Sequence, residues 1–181
     1  MTMHQIRMRA ILAAAVVSMS APAMAATQQA AACSLLTASD IEVALGAKAS
    51  APVPSEMAMS TAPNSPTAHN CMWSVAAIQG GLTLGMMTPL PPDGSVPALF
   101  KHNPGIDLLK AKHWTEEKKE FGSNAWCSIM TPPASDKAPI MSSCSAGVKG
   151  VLLSVTLLSP AKKLSIDQAK ALLDKAIGRL R

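Results

Sequence analysis

Aromatic residues are scarce in this chain of 181 residues: they make up 3% of it, and tyrosine is absent. Proteins that hold single-stranded nucleic acids stack bases against aromatic side chains. Charge is scarce as well, with 15% charged residues and a formal net charge of only +5. These two shortages argue against a nucleic-acid-binding protein.

Motifs of the common enzyme classes are missing too. The sequence has no G-x-S-x-G, no H-E-x-x-H, no P-loop and no glycine-rich dinucleotide turn. After residue 25, only His69, His102 and His113 offer an imidazole for acid–base chemistry. We therefore expect a non-enzymatic protein without a cofactor. A hydrolase with a non-standard site stays an alternative, because catalytic groups can be assembled from distant residues.

The N-terminus has the pattern of a secretory signal peptide. Arg7 and Arg9 precede an apolar run from Ala10 to Met19, and residues 23–25 supply a small-x-small cleavage motif. We predict a signal peptide over residues 1–25. The apolar run is shorter than the roughly 20 residues of a membrane-spanning helix, so we expect a periplasmic or secreted protein with no permanent membrane anchor.

The chain after residue 25 has a length that suits one domain with one hydrophobic core. We predict a disordered leader over residues 26–32 and a single domain over residues 33–181. Residues 47–70 are rich in Ala, Pro and Ser. This composition predicts a long surface loop, with room for one edge strand.

All four cysteines, Cys33, Cys71, Cys127 and Cys144, follow the predicted signal peptide. An even number of cysteines in an exported protein predicts disulfides. No C-x-x-C pair is present, which argues against a zinc knuckle or a thioredoxin-like redox site. Three pairings are possible. We favour Cys33–Cys71 with Cys127–Cys144, because the second pair lies on two successive predicted strands.

Two helices carry clear signals at their ends. Thr37 and Asp40 form a capping box ahead of a helix at Ala38–Leu45, and Gly46 ends it. Near the C-terminus, Ser165 and Gln168 form a second capping box. Apolar residues then follow at the 3-and-4 spacing of a buried helix face: Ala169, Leu172, Leu173, Ala176, Ile177 and Leu180. Shorter helices are expected at residues 96–102 and 106–112.

Alternating apolar residues predict a β-hairpin over residues 71–86, with Trp73 as a structural residue. Further strands are expected at residues 114–121, 125–130 and 140–145. Residues 151–158 are nearly all apolar, which predicts a central strand covered on both faces. The expected fold class is therefore α+β: a mainly antiparallel sheet, a short N-terminal helix, a longer C-terminal helix packed on the sheet, and two disulfides.

Several short motifs resemble a family of small exported domains of unknown function, of which mycobacterial lipoproteins are the best-known members. They are Cys33-Ser-Leu-Leu-Thr-Ala-Ser-Asp-Ile, then Leu45-Gly46, then Cys71-Met-Trp73, and later the step from Phe121-Gly122 to Ala125-Trp126. The resemblance implies a disulfide between Cys33 and Cys71 and supplies no catalytic residues. The chain departs from the family pattern because it lacks a lipobox cysteine.

One cluster of residues suits a soft metal ion. Met57 and Met59 precede His69 in the predicted loop, and Trp73 and Met86 lie on the hairpin that follows. Thioether and imidazole groups are ligands that suit Cu(I). We name Met57, Met59 and His69 as candidate copper ligands. The simpler interpretation is that these methionines fill the core and the loop of a Met-rich chain.

The leading functional interpretation is an exported binding module that recognises a protein or an envelope ligand through its sheet face or its long loop. An inhibitor, immunity or adaptor protein fits the same profile, because a rigid disulfide-bonded surface binds at a low entropic cost. A periplasmic Cu(I)-binding protein is the second interpretation, and the hydrolase is the third.

Overall fold

A seven-stranded antiparallel sheet organises the molecule in the computed structural model, which describes residues 31–58, 66–90, 96, 103–122, 124–160 and 164–180. The strands lie in the order β1-β2-β3-β7-β6-β5-β4. Their bounds are Val53–Ala58 (β1), Thr67–Val75 (β2), Gly80–Thr88 (β3), Thr115–Glu120 (β4), Ala125–Thr131 (β5), Ile140–Val148 (β6) and Val151–Ser159 (β7). The predicted α+β class is confirmed.

Three α-helices of eight residues or more accompany the sheet in the described part of the chain: Ala38–Leu45 (α1), Pro104–Ala111 (α2) and Ile166–Arg179 (α3). A single 3-10 turn at Ala76–Ile78 joins β2 to β3. The predicted bounds of α1 are confirmed. They could be predicted because the residues that start and end the helix lie next to it in the sequence. Thr37 and Asp40 form the expected capping box, and Gly46 ends the helix in the left-handed region at φ 66°. The capping box of Ser165 and Gln168 at α3 is confirmed as well.

The hydrophobic core lies between α1, α3 and one side of the sheet, which we call the helical face. On the sheet side it contains completely buried residues such as Leu84, Val155 and Leu157. On α3 it contains Leu172 and Leu173, which are also completely buried. Complete burial of a leucine side chain contributes about 1.5–3 kcal/mol, so the apolar stripe of α3 accounts for its docking on the sheet.

Both predicted disulfides are present. Cys127 and Cys144 lie directly opposite each other on β5 and β6, with their Cα atoms 4.0 Å apart. Cys33 is joined to Cys71 on β2, across a Cα–Cα distance of 5.1 Å. The Cys33–Cys71 bridge ties the segment that precedes α1 to the helical face of the sheet.

Three expectations need revision. Residues 31–34 are helical and Ala32 is completely buried, so the ordered domain begins before Cys33. The segment at residues 47–70, predicted as a loop with room for one edge strand, contains the edge strand β1 and also the first residues of β2. Pro54 is tolerated in β1 because an edge strand can lack one N–H donor. The central strand β7 is confirmed, but it is fully covered only on the helical face: Ser154 and Thr156 are half-buried on the other.

None of the described helices combines the length and the apolar character that a bilayer-spanning segment needs. The predicted signal peptide over residues 1–25, most of the leader, and residues 97–102 of one expected helix lie outside the described residues.

Candidate functional site

The middle of the sheet side opposite α1 and α3 is polar, beside a small apolar cluster of Val96, Trp126 and Leu152 on the same side. Alternate residues of β3, β5, β6 and β7 lie on this side and include Thr83, Ser128, Ser143, Ser145, Ser154 and Thr156. We call it the hydroxyl face. The strand register places Thr83, Thr156, Ser143 and Ser128 in one row across four neighbouring strands. Because neighbouring strands lie about 4.8 Å apart, the sheet holds these hydroxyl groups at a fixed spacing.

Helix α2 forms one wall above the hydroxyl face. It begins where the Asn103 side chain accepts a hydrogen bond from the Gly105 backbone N–H at 2.9 Å, with Pro104 in the first turn. Its other end is held to β4 by the ion pair of Lys110 and Glu116, whose Nζ and Oε2 atoms lie 2.6 Å apart. The hydrogen bond to Glu116 raises the pKa of Lys110 above its usual value.

The helix and the sheet enclose a groove of about 450 Å³. Its floor is formed by Ser128, Ser143, Ser145, Ser154 and Thr156, and its apolar part by Ile106, Leu109 and Met141. The Ser128 and Ser143 hydroxyl oxygens lie 3.5 Å apart. Ligand sites are typically cavities of this size in which polar groups converge within an apolar lining.

The groove is lined by uncharged residues alone in the described part of the chain. No described histidine lines it: His69 lies on the helical face, and His113 follows α2. A serine becomes a strong nucleophile only beside a base, and the described lining residues of the groove include no histidine, carboxylate or lysine. The groove is suited to an uncharged polar ligand, whose hydroxyl or amide groups can exchange hydrogen bonds with the serines.

The strand register separates the predicted copper ligands that the structure describes. Met57 pairs with Ala68 on the hydroxyl side of β1 and is 58% exposed. His69 pairs with Glu56 and is buried on the helical side. Since side chains one position apart on a strand lie on opposite faces, Met57 and His69 cannot share an ion. Met59 lies outside the described residues.

The predicted structural residues lie in the core or at the ends of α1. Trp73 is buried on the helical face of β2. Asp40 has a second role that we did not predict, because Arg179 at the end of α3 donates hydrogen bonds to both oxygens of its carboxylate. These hydrogen bonds are the main reason why the pKa of Asp40 lies well below its usual value. Arg179 therefore joins the end of α3 to the start of α1.

The sequence did not predict the groove, because its serines and threonines lie on separate strands. Ser143 and Ser145 alternate along β6, and Ser154 and Thr156 alternate along β7. The second pair lies within residues 151–158, whose largely apolar composition predicted a strand covered on both faces. Only the pairing of β7 with β6 shows that the two polar stripes are adjacent.

No known protein family and no curated protein matches this sequence. Among solved structures, the fold is similar to the crystal structure of the extracellular domain of PknH from Mycobacterium tuberculosis, with a TM-score of 0.52. The match covers 83% of this chain and 95% of that chain, at 10% sequence identity. At this identity the likeness concerns the fold, and function has to be argued from the site.

Proposed function

We propose that this chain is an exported, non-enzymatic binding domain that holds an uncharged polar ligand, such as a saccharide segment of the cell envelope, in the groove between α2 and the hydroxyl face. The observation that carries the proposal is the convergence of serine and threonine side chains from three strands on one groove of about 450 Å³. Export is supported by the signal-peptide pattern, by the two disulfides, and by the similarity to an extracellular domain.

The chemistry of the groove favours a saccharide over a charged ligand. Each hydroxyl group can both donate and accept a hydrogen bond, as sugar hydroxyls do. Ile106, Leu109 and Met141 provide apolar contacts for the C–H faces of a ring. An anion or a cation would lose its hydration without meeting an opposite charge among the described lining residues, which is costly. The resemblance to small exported domains of unknown function is compatible with such a role.

Native mass spectrometry of the protein purified gently from its own envelope tests this proposal. We expect the wild-type protein to retain a neutral companion, and we expect Thr156→Val and Ser154→Ala to lose it. The matched control is Thr83→Val. Thr83 lies beside Thr156 in the same row of hydroxyl groups but does not line the groove. Retention of the companion by both groove variants would place the ligand elsewhere.

If the wild-type protein carries no companion, neutral envelope oligosaccharides can be titrated into the labelled protein and followed by amide NMR. Shifts confined to α2 and to strands β5–β7 support the groove. Shifts confined to the edge strand β1, or no shifts at all, overturn the proposal. A companion that proves to be a protein bound at β1 would support the inhibitor, immunity or adaptor interpretation instead.

A further inference from the structure

His69 is a buried histidine with an unsatisfied ring nitrogen. The residue is only 1% exposed, and its Nδ1 atom has no hydrogen-bond partner among the described residues. A buried polar atom without a partner costs about 1–3 kcal/mol, so such atoms call for an explanation. The Glu56 carboxylate lies close to this atom, with Oε2 at 3.8 Å from Nδ1.

The separation of 3.8 Å is too long for a hydrogen bond, which spans about 2.7–3.2 Å. It fits two ligands of one ion. Nitrogen and oxygen ligands bind transition metals at about 2.0–2.2 Å, and two atoms at about 2.1 Å from a common ion lie 3.8 Å apart when the angle between them is roughly 130°. That angle is close to the angle of trigonal coordination.

Met86 is the residue paired with His69 on its other neighbouring strand. The register pairs His69 with Glu56 on β1 and with Met86 on β3, so the three side chains form one row on the helical face. Directly opposed residues have their Cβ atoms about 4.5–5.5 Å apart, within reach of a shared ion.

We propose that Glu56, His69 and Met86 form a binding site for a copper(I) ion. The thioether selects for Cu(I), and imidazole is one of its common ligands. A carboxylate is a harder ligand, so Glu56 contributes mainly the negative charge that offsets the charge of the ion. Among the described residues, no group of three or more His, Cys, Asp or Glu side chains is placed to hold a metal ion. The proposed site therefore depends on the thioether of Met86. The side chain of Glu56 is 40% exposed at the sheet edge, which gives the ion a route of entry.

This site replaces the ligand set that the sequence predicted. It keeps His69, and it exchanges Met57 and Met59 for Met86, which lies on the same face of the sheet as His69. The site is independent of the proposed function, because the groove lies on the opposite side of the sheet. Binding of an envelope ligand and binding of copper can therefore succeed or fail separately.

The experiment is a titration of the exported full-length protein with Cu(I) delivered as its bicinchoninate complex under argon, without a thiol reductant. We expect transfer of one Cu(I) ion per chain. Met86→Leu, which conserves volume, and Glu56→Gln, at a partly exposed position, should each weaken the affinity at least about tenfold. Met57→Leu is the matched control, because it removes an exposed thioether from the other side of β1, and it should bind as the wild type does.

A second readout is the melting temperature, which bound Cu(I) should raise for the wild type and the control but not for the two ligand variants. Circular dichroism before loading checks that each variant is folded. If Met86→Leu is unstable, Glu56→Gln still tests the site, because the Glu56 side chain is partly exposed and its substitution leaves the core intact. The proposal is overturned if the wild type takes up no stoichiometric Cu(I), if a folded ligand variant keeps the wild-type affinity, or if Met57→Leu loses as much affinity as Met86→Leu.

Discussion

Arg179 donates hydrogen bonds to both carboxylate oxygens of Asp40, and its Nη2 atom lies 3.0 Å from Oδ1. The same guanidinium donates to the Leu35 carbonyl oxygen at 3.1 Å. Asp40 also accepts from the Thr37 backbone N–H at 2.8 Å. The last turn of α3 is thereby joined to the first turn of α1, so one carboxylate both caps a helix and connects the two ends of the domain.

Asp40→Asn should lower the free energy of unfolding at pH 7 by about 1–2 kcal/mol, because it weakens a capping box and breaks an ion pair. The pKa of Asp40 is lower in the folded chain than its unfolded value of about 3.9, so the pair stabilises the protein above that pH. This stabilisation should be lost as the pH falls from about 5 to 2. Urea denaturation across this range should show a steeper loss for the wild type than for Asp40→Asn.

The control is Asp167→Asn, which removes an exposed carboxylate from the first turn of α3. It should change stability by only about 0.3–1 kcal/mol through the helix dipole. Equal effects of the two substitutions would contradict a specific role for the contact with Arg179.

The two disulfides should stabilise the fold to different degrees. The Cys33–Cys71 bridge spans 38 residues and the Cys127–Cys144 bridge spans 17. From the entropy of closing these loops, replacing both cysteines by alanine should cost about 4 kcal/mol for the first pair and about 3 kcal/mol for the second. Chemical denaturation of the two double variants measures the order. The reverse order would mean that native packing dominates over loop closure.

Gly80 and Gly81 are neighbours that should differ sharply in tolerance. A Cβ atom at Gly80 would lie 1.7 Å from the backbone oxygen of Leu158, whereas one at Gly81 would lie 3.3 Å from the Trp73 oxygen. Gly80→Ala therefore forces β3 and β7 apart and should cost more than about 3 kcal/mol, and Gly81→Ala should cost less than about 1 kcal/mol. Thermal melts of the two variants test this difference, and similar melting temperatures would refute the close approach.

Two buried serines should respond in opposite ways to the loss of a hydroxyl group. The Ser159 hydroxyl donates to the Ile78 carbonyl oxygen at 2.7 Å, and the residue is completely buried. The Ser142 hydroxyl is buried and has no hydrogen-bond partner among the described residues. Ser159→Ala should destabilise the protein by about 1–3 kcal/mol, whereas Ser142→Ala should be neutral or stabilising. A comparable loss in both variants, measured by urea denaturation, would contradict this assignment.

The parts of the fold that were predicted correctly depend on neighbouring residues. Thr37, Asp40 and Gly46 mark the ends of α1 within ten positions of one another. The Cys127–Cys144 bridge needed only a hairpin between two short strands. The candidate site was predicted poorly for the opposite reason, since the faces on which Met57 and His69 lie follow from the register of β1 against β2. A shift of one residue in that register would reverse them.

The amino-acid sequence by itself determined the helix ends, the apolar stripe of α3, most of the strands, the even set of cysteines and the signal-peptide pattern, because each is encoded by residues a few positions apart. Only the tertiary structure decided which stripes meet. It placed β7 between β3 and β6, which gathered the serines and threonines into one groove. It also aligned Glu56, His69 and Met86 in one row and joined Arg179 to Asp40. These contacts depend on pairing between distant segments, for which a local pattern carries no signal.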